Sequence, residues 1–135
     1  MKREEAIVAG LAGRWHTLRQ RFGNALVAAN AVALMLASWT PGTHMVRSGF
    51  LSGHLEHALC YAASGAFLLA VLAGRCAAWQ VAASVSAYAG VLELGQLIAP
   101  GRHAGVDDFV FSAAGAVVGV LACAALRRRF ARDGK

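Results

Sequence analysis

Seven polar side chains interrupt the apolar stretches of this sequence, and their chemistry is the most informative feature of the chain: His57, Tyr61, Glu93, Gln96, Arg102, Asp108 and Ser112. Carboxylates and an imidazole can transfer protons, and the same groups can hydrogen-bond a polar ligand. The sequence offers no activated serine or cysteine, no phosphate-binding glycine loop and no complete set of metal ligands. We therefore expect no metal and no cofactor, and we favour a binding or structural role over catalysis.

The segments that carry these residues are unusually apolar for so short a chain. Hydrophobic residues make up 58% of the 135 residues and charged residues 15%, against about 25% charged in soluble domains. Four stretches carry no formal charge: 22–43, 58–74, 76–92 and 109–126. Each reaches the roughly 17 residues that a helix needs to cross a bilayer. The sequence predicts an all-α membrane protein, a bundle of four transmembrane helices, with spans near residues 24–40, 55–73, 77–98 and 108–126.

The basic residues predict the orientation of these spans. Eleven of the 13 Lys and Arg residues lie before the first span, after the last span or at Arg75, and only Arg47 and Arg102 lie in the other two loops. The positive-inside rule then places both termini in the cytoplasm and the chain in a cytoplasmic membrane. Because the net charge of +6 is concentrated at the chain ends, we expect membrane lipids as partners and no nucleic acid.

The N-terminal segment and the C-terminal tail flank the transmembrane domain, which we place at residues 23–126. Apolar residues recur at helical spacing within residues 1–22: Ile7, Leu11, Trp15, Leu18 and Phe22. This pattern predicts a cytoplasmic amphipathic helix that lies in the membrane interface. Residues 127–135 form a basic cytoplasmic tail. The region before the apolar stretch is too long for a signal peptide, so we expect no cleavage.

The predicted topology gathers the polar residues at the outer leaflet. Glu93 and Gln96 lie three residues apart near the end of the third span, while Asp108 and Ser112 lie four apart at the start of the fourth. These residues either line a polar pocket or have only a structural role, in which they hold the helices together and Asp108 is an N-cap. Gly115 and Gly119 form a small-residue stripe that permits close helix packing, against a helix of the same chain or of a second copy.

The same residues carry a family resemblance. Glu93-Leu94-Gly95-Gln96, Pro100-Gly101-Arg102, Asp108 and the glycines Gly115 and Gly119 resemble the signature of the VanZ-like family. A second-span motif of that family resembles His57, Tyr61, Ser64-Gly65 and Phe67, so that the matches extend over residues 54–120. Two residues depart from the family pattern, because Ser112 stands where Asn is usual and His54 where Lys is common.

The resemblance implies a four-span protein of the bacterial inner membrane and cell envelope, in a family linked to teicoplanin resistance. Three hypotheses follow for this chain. Its outer pocket binds an envelope lipid, glycan or glycopeptide; or the chain is an accessory subunit of a larger membrane complex; or it is a membrane-embedded enzyme that acts on a lipid-linked substrate. We favour the first hypothesis, and the sequence leaves homo-oligomerisation open.

Overall fold

The chain folds into four helices in the computed structural model, which describes residues 2–39, 53–98 and 104–134. The side chains of residues 2–12 and of His16 lie outside this description. The helices are listed here in chain order: α1 Lys2–Trp39, α2 Gly53–Val71, α3 Ala78–Gln96 and α4 Val106–Asp133. The described residues contain no strand, which confirms the all-α prediction. A short turn joins α2 to α3 at Gly74, whose φ of 76° is a conformation that glycine adopts without strain.

Two of the helices are longer than the sequence predicted. α1 runs without a break through the boundary at residue 22 that separated the amphipathic segment from the first span. α4 extends through the basic residues of the predicted tail as far as Asp133. Neither region contains a proline, and arginines are good helix formers. The arginines near the end of α4 also suit the negative end of that helix dipole. Changes in charge therefore marked the boundaries of apolar segments but not the ends of helices.

Among the described helices, α2 and α4 pack most closely. A Cβ atom added at Gly115 would overlap the carbonyl oxygen of Ala58, and one added at Gly119 would overlap that of Ala62. On the opposing helix, a Cβ at Gly65 would lie 2.6 Å from the carbonyl oxygen of Ala116. Small residues thus face each other from both helices, so the backbones approach more closely than side chains would otherwise allow. The stripe at Gly115 and Gly119 packs within the chain, on α2.

The first helix is attached in a different way. α1 contacts α2 and α3 but not α4 within the described residues. Ser64 of α2 donates a hydrogen bond to Asn30 Oδ1 (2.7 Å), and the Tyr88 hydroxyl of α3 donates to the Ala31 carbonyl (2.9 Å). At the α2–α3 turn, Arg75 donates to Asn24 Oδ1 (2.7 Å). α1 is therefore attached to α2 and α3 by hydrogen bonds as well as by a small apolar contact.

Large apolar side chains cover much of the outer surface of the bundle. They occur on all four helices, for example Leu36, Phe67, Val91 and Leu121, each between 39% and 61% exposed. Within the described residues, two segments are long and apolar enough to cross a membrane, Gly13–Trp39 and Val106–Asp133. Only 11% and 28% of their most apolar stretches are buried inside the molecule. This pattern is compatible with a protein whose surroundings are lipid.

Candidate functional site

Most of the polar contacts between helices lie at one end of the bundle. This polar end contains the last turns of α1 and α3 together with the first turns of α2 and α4. The opposite, basic end contains the α2–α3 turn and the arginines that follow Leu126. Arg127 marks this basic end on α4, because its guanidinium lies 3.5 Å from the Leu69 carbonyl in the last turn of α2. The antiparallel order of the helices explains why residues far apart in sequence meet at the polar end.

Glu93 connects α3 to the start of α4. Its carboxylate oxygen Oε1 accepts a hydrogen bond from the Gly105 backbone N–H at 2.6 Å, and the residue is only 9% exposed. Gly105 is the N-cap of α4 and makes no side-chain cap, so a carboxylate here complements the positive end of that helix dipole. Gly105, and not Asp108, is therefore the N-cap. Among the described residues, Glu93 thus contacts a backbone amide at the start of α4.

His54 bridges α2 to two neighbouring carboxylates of α4. Its Nδ1 lies 2.9 Å from Asp108 Oδ1, and its Nε2 lies 3.4 Å from Asp107 Oδ2. The imidazole also stacks on the Phe111 ring, with ring centroids 5.0 Å apart and an angle of 19° between the planes. The His54 side chain is 43% exposed, the Asp107 side chain 62% and the Asp108 side chain 27%. This acidic, partly aromatic surface is therefore accessible from outside the bundle.

A second histidine contact lies one turn further along both helices. His57 Nδ1 and Ser112 Oγ are 3.4 Å apart, which is long for a hydrogen bond. Ser112 is only 2% exposed, so its hydroxyl lacks the access that a nucleophile needs. Tyr61 lies deeper, 6% exposed within the hydrophobic core. The His57–Ser112 pair is thus suited to holding α2 against α4 rather than to covalent chemistry.

Gln96 faces a different neighbour from Glu93. Its amide Nε2 donates to the Ser38 carbonyl (3.1 Å) and lies 2.8 Å from the Ser38 hydroxyl, in a site where Gln96 is 1% exposed. Beside this contact the Trp39 indole N–H donates to the Leu92 carbonyl at 3.3 Å, and its ring lies over Gly95. Gln96 therefore joins α3 to α1 and supports the site without lining its exposed surface.

The structure thus divides the residues that the sequence predicted. It brings His57, Asp108 and Ser112 together on the α2–α4 side, places Glu93 between α3 and α4, and directs Gln96 towards α1. Arg102 lies outside the described residues. The contacts also add residues that the sequence did not assign to the site: Ser38, Trp39, His54, Gly105, Asp107 and Phe111. Only His54 had a sequence signal, because it precedes His57 by three residues and so shares its helix face.

Histidine and carboxylate groups are common metal ligands. Within the part of the chain that the structure describes, no group of three or more histidine, cysteine, aspartate or glutamate residues could hold a metal. The His54 imidazole contacts Asp107 and Asp108 directly instead. What the arrangement offers is hydrogen-bonding capacity, since a carboxylate can accept several hydrogen bonds.

Comparison with known proteins extends the resemblance seen in the motifs. The model of the family described as VanZ/LLP1 matches residues 10–127, which include most of α1, all of α2 and α3 and most of α4. No curated protein and no solved structure matches the chain. Because the match covers most of the 135 residues, and not only the motifs between residues 54 and 120, the chain belongs to the VanZ/LLP1 family.

Proposed function

We propose that this chain is a four-span protein of the bacterial cytoplasmic membrane whose polar end binds the hydrogen-bonding head of an envelope lipid, glycan or glycopeptide. The observation that carries the proposal is the exposed contact of His54 with Asp107 and Asp108 beside the Phe111 ring. All four residues lie where α2 and α4 begin, which is one end of an otherwise apolar bundle.

Membrane insertion of all four helices is supported by their lengths and surfaces. α2 and α3 each have 19 residues, or about 28 Å of helix, against a hydrocarbon core of about 30 Å. α2 and α3 are not among the described segments that are long and apolar enough to cross a membrane, because His54, His57, Glu93 and Gln96 lie at their polar ends. A polar end in the headgroup region explains both their length and their composition.

The orientation follows from the charges. The basic end and the two termini carry eleven of the 13 Lys and Arg residues, so the positive-inside rule puts them in the cytoplasm. The polar end then faces the outer leaflet and the space beyond it. This is where envelope lipids, glycans and glycopeptides are encountered, and the link between the VanZ-like family and teicoplanin resistance agrees with such a position.

The chemistry of the site favours a ligand that donates hydrogen bonds. Asp107 and Asp108 accept bonds from hydroxyl or amine groups and repel phosphate. The exposed Phe111 ring, which is 43% exposed, offers an apolar face of the kind that packs against the less polar side of a sugar. A hydroxyl-rich head, such as the saccharide of a glycolipid or a glycopeptide, fits these features best.

The test is a binding titration of the full chain in lipid nanodiscs, with teicoplanin and a neutral glycolipid as the two probes. Asp108→Asn should weaken saturable binding by about 10-fold to 100-fold, because a hydrogen bond to a charged group contributes about 1.5–3 kcal/mol. Asp133→Asn is the matched control, since Asp133 is an exposed acid at the other end of the same helix. The proposal fails if neither probe binds, or if both variants bind as the parent chain does.

A second candidate function, accessory subunit of a larger membrane complex, is favoured by one feature of α1. The most apolar stretch of this helix is only 11% buried, and α1 makes no contact with α4 within the described residues. A helix with so little contact inside its own chain has surface available for a partner. Recovery of a stoichiometric partner in mild detergent would favour this function over ligand binding.

A further inference from the structure

We infer that the segment of α1 from Gly13 to Phe22 docks on the anionic inner leaflet of the membrane, through an apolar face edged by arginines. This inference rests on insertion of the bundle into a membrane but not on ligand binding at the polar end. The segment precedes Asn24, which the Arg75 contact places at the basic end. It is the part of α1 that continues past the rest of the bundle. Because α1 is one continuous helix in the structure, docking requires the helix to bend between this segment and the span.

Helix length places this segment beyond the hydrocarbon core. α1 has 38 residues and is therefore about 57 Å long, nearly twice the thickness of the core. The segment nevertheless exposes three large apolar side chains, Trp15 at 71%, Leu18 at 58% and Phe22 at 68%. They line a shallow groove together with Arg19. Apolar surface of this kind, outside the lipid core, requires something to cover it.

The arrangement of charges identifies the covering surface as anionic lipid. At about 100° per residue, Trp15, Leu18 and Phe22 fall within one 60° sector of the helix. Arg19 borders this sector on one side, and Arg14 and Arg21 border it on the other.

The opposite side of the same segment carries Gly13, Thr17 and Gln20, which have no charge. An apolar face with arginines along both edges is typical of helices that lie on anionic membranes. A second copy of this face would bring the same positive charges together and be repelled. The bilayer that holds the bundle is also the nearest large surface.

The test measures the fluorescence of Trp15 in the full chain, held in nanodiscs of phosphatidylcholine with or without phosphatidylglycerol. The Trp15 signal is the difference between the parent chain and Trp15→Phe, so that Trp39 and Trp79 stay in place. With phosphatidylglycerol present, we expect brominated lipid to quench the Trp15 fluorescence and an aqueous quencher to quench it less. With phosphatidylcholine alone, or at high salt, quenching by brominated lipid should fall.

Removing the edge charges should abolish docking. The variant in which Arg14, Arg19 and Arg21 are all changed to Gln should weaken the docking equilibrium by about 100-fold, since each arginine near an anionic surface contributes about fivefold. Changing Arg127, Arg128 and Arg129 to Gln is the matched control. These three exposed arginines lie on α4, and their loss should leave the Trp15 signal unchanged.

Four results would overturn the inference. The Trp15 side chain could stay accessible to the aqueous quencher in every lipid. It could also be shielded only in discs that hold two copies of the chain, which would identify a second copy as the surface that covers it. If brominated lipid quenches neither Trp15 nor the remaining tryptophans, the chain is not inserted, and the proposal of four membrane spans fails as well. Quenching of the remaining tryptophans alone overturns the docking of α1 and leaves the four spans standing.

Discussion

Substitution of Gly119 by alanine should destabilise the bundle, although alanine is the better helix former. In the structure an added Cβ overlaps the Ala62 carbonyl oxygen, and this oxygen belongs to the backbone of α2, which cannot rotate away as a side chain would. The two helices must therefore separate. Overpacking of this kind costs about 1–3 kcal/mol, while the gain from replacing glycine within a helix is about 0.5–1 kcal/mol.

The net loss should be about 1–2 kcal/mol, or roughly 5-fold to 30-fold in the folding equilibrium. Titration of the chain with a denaturing detergent, followed by tryptophan fluorescence, measures this difference. Gly13→Ala is the matched control, because nothing lies within 4 Å of a Cβ added there, and it should leave stability unchanged or raise it by up to about 1 kcal/mol. If Gly119→Ala is as stable as Gly13→Ala, the close packing of α2 on α4 is not what holds the bundle together.

Two further predictions concern the support of the site and the orientation of the chain. Gln96→Leu should cost about 1 kcal/mol and speed amide hydrogen exchange at the end of α1, because both contacts to Ser38 are lost. Ser38→Ala removes only the hydroxyl contact, so it should have a smaller effect, and equal exchange in all three chains would contradict the argument. In a chain with Cys60→Ala and Cys123→Ala, a maleimide that cannot cross membranes should label Cys76 only after lysis. Labelling of Cys76 in intact cells would reverse the orientation proposed for the bundle.

The sequence located the helix ends well where the chain contains a turn, and poorly where only the charge changes. The predicted spans 55–73 and 77–98 differ by at most two residues from the helices Gly53–Val71 and Ala78–Gln96, because Gly74 and the flanking polar residues mark a real reversal of the chain. The ends of α1 and α4 could not be predicted from such turn signals. Hydropathy reports which environment a helix suits, and a helix can continue from lipid into the headgroup layer without a change in backbone conformation.

The site was predictable in its residue types but not in its pairings. Glu93 and Gln96 are three residues apart, which separates their directions by about 60° around the helix axis. This rotation is enough for Glu93 to contact the start of α4 and for Gln96 to contact Ser38 on α1. One partner of Glu93 within the described residues is the backbone amide of Gly105. Every residue except proline carries such a group, and no sequence motif distinguishes it.

The two ways in which the helices are joined agree with the proposed position of the ligand site. In lipid, helices gain little by burying apolar side chains against one another, so close packing and hydrogen bonds determine their association. The glycine contacts fix α2 on α4 along their length, and the carboxylate of Glu93 fixes the end of α3 to the same helix. His54, Asp107 and Asp108 are therefore held on a rigid frame while remaining exposed. Among the described residues α1 contributes none to this surface, and it contacts the frame through several hydrogen bonds, including the one between Gln96 and Ser38. A change at the Ser38 contact should therefore alter the stability of the bundle before it alters binding at His54.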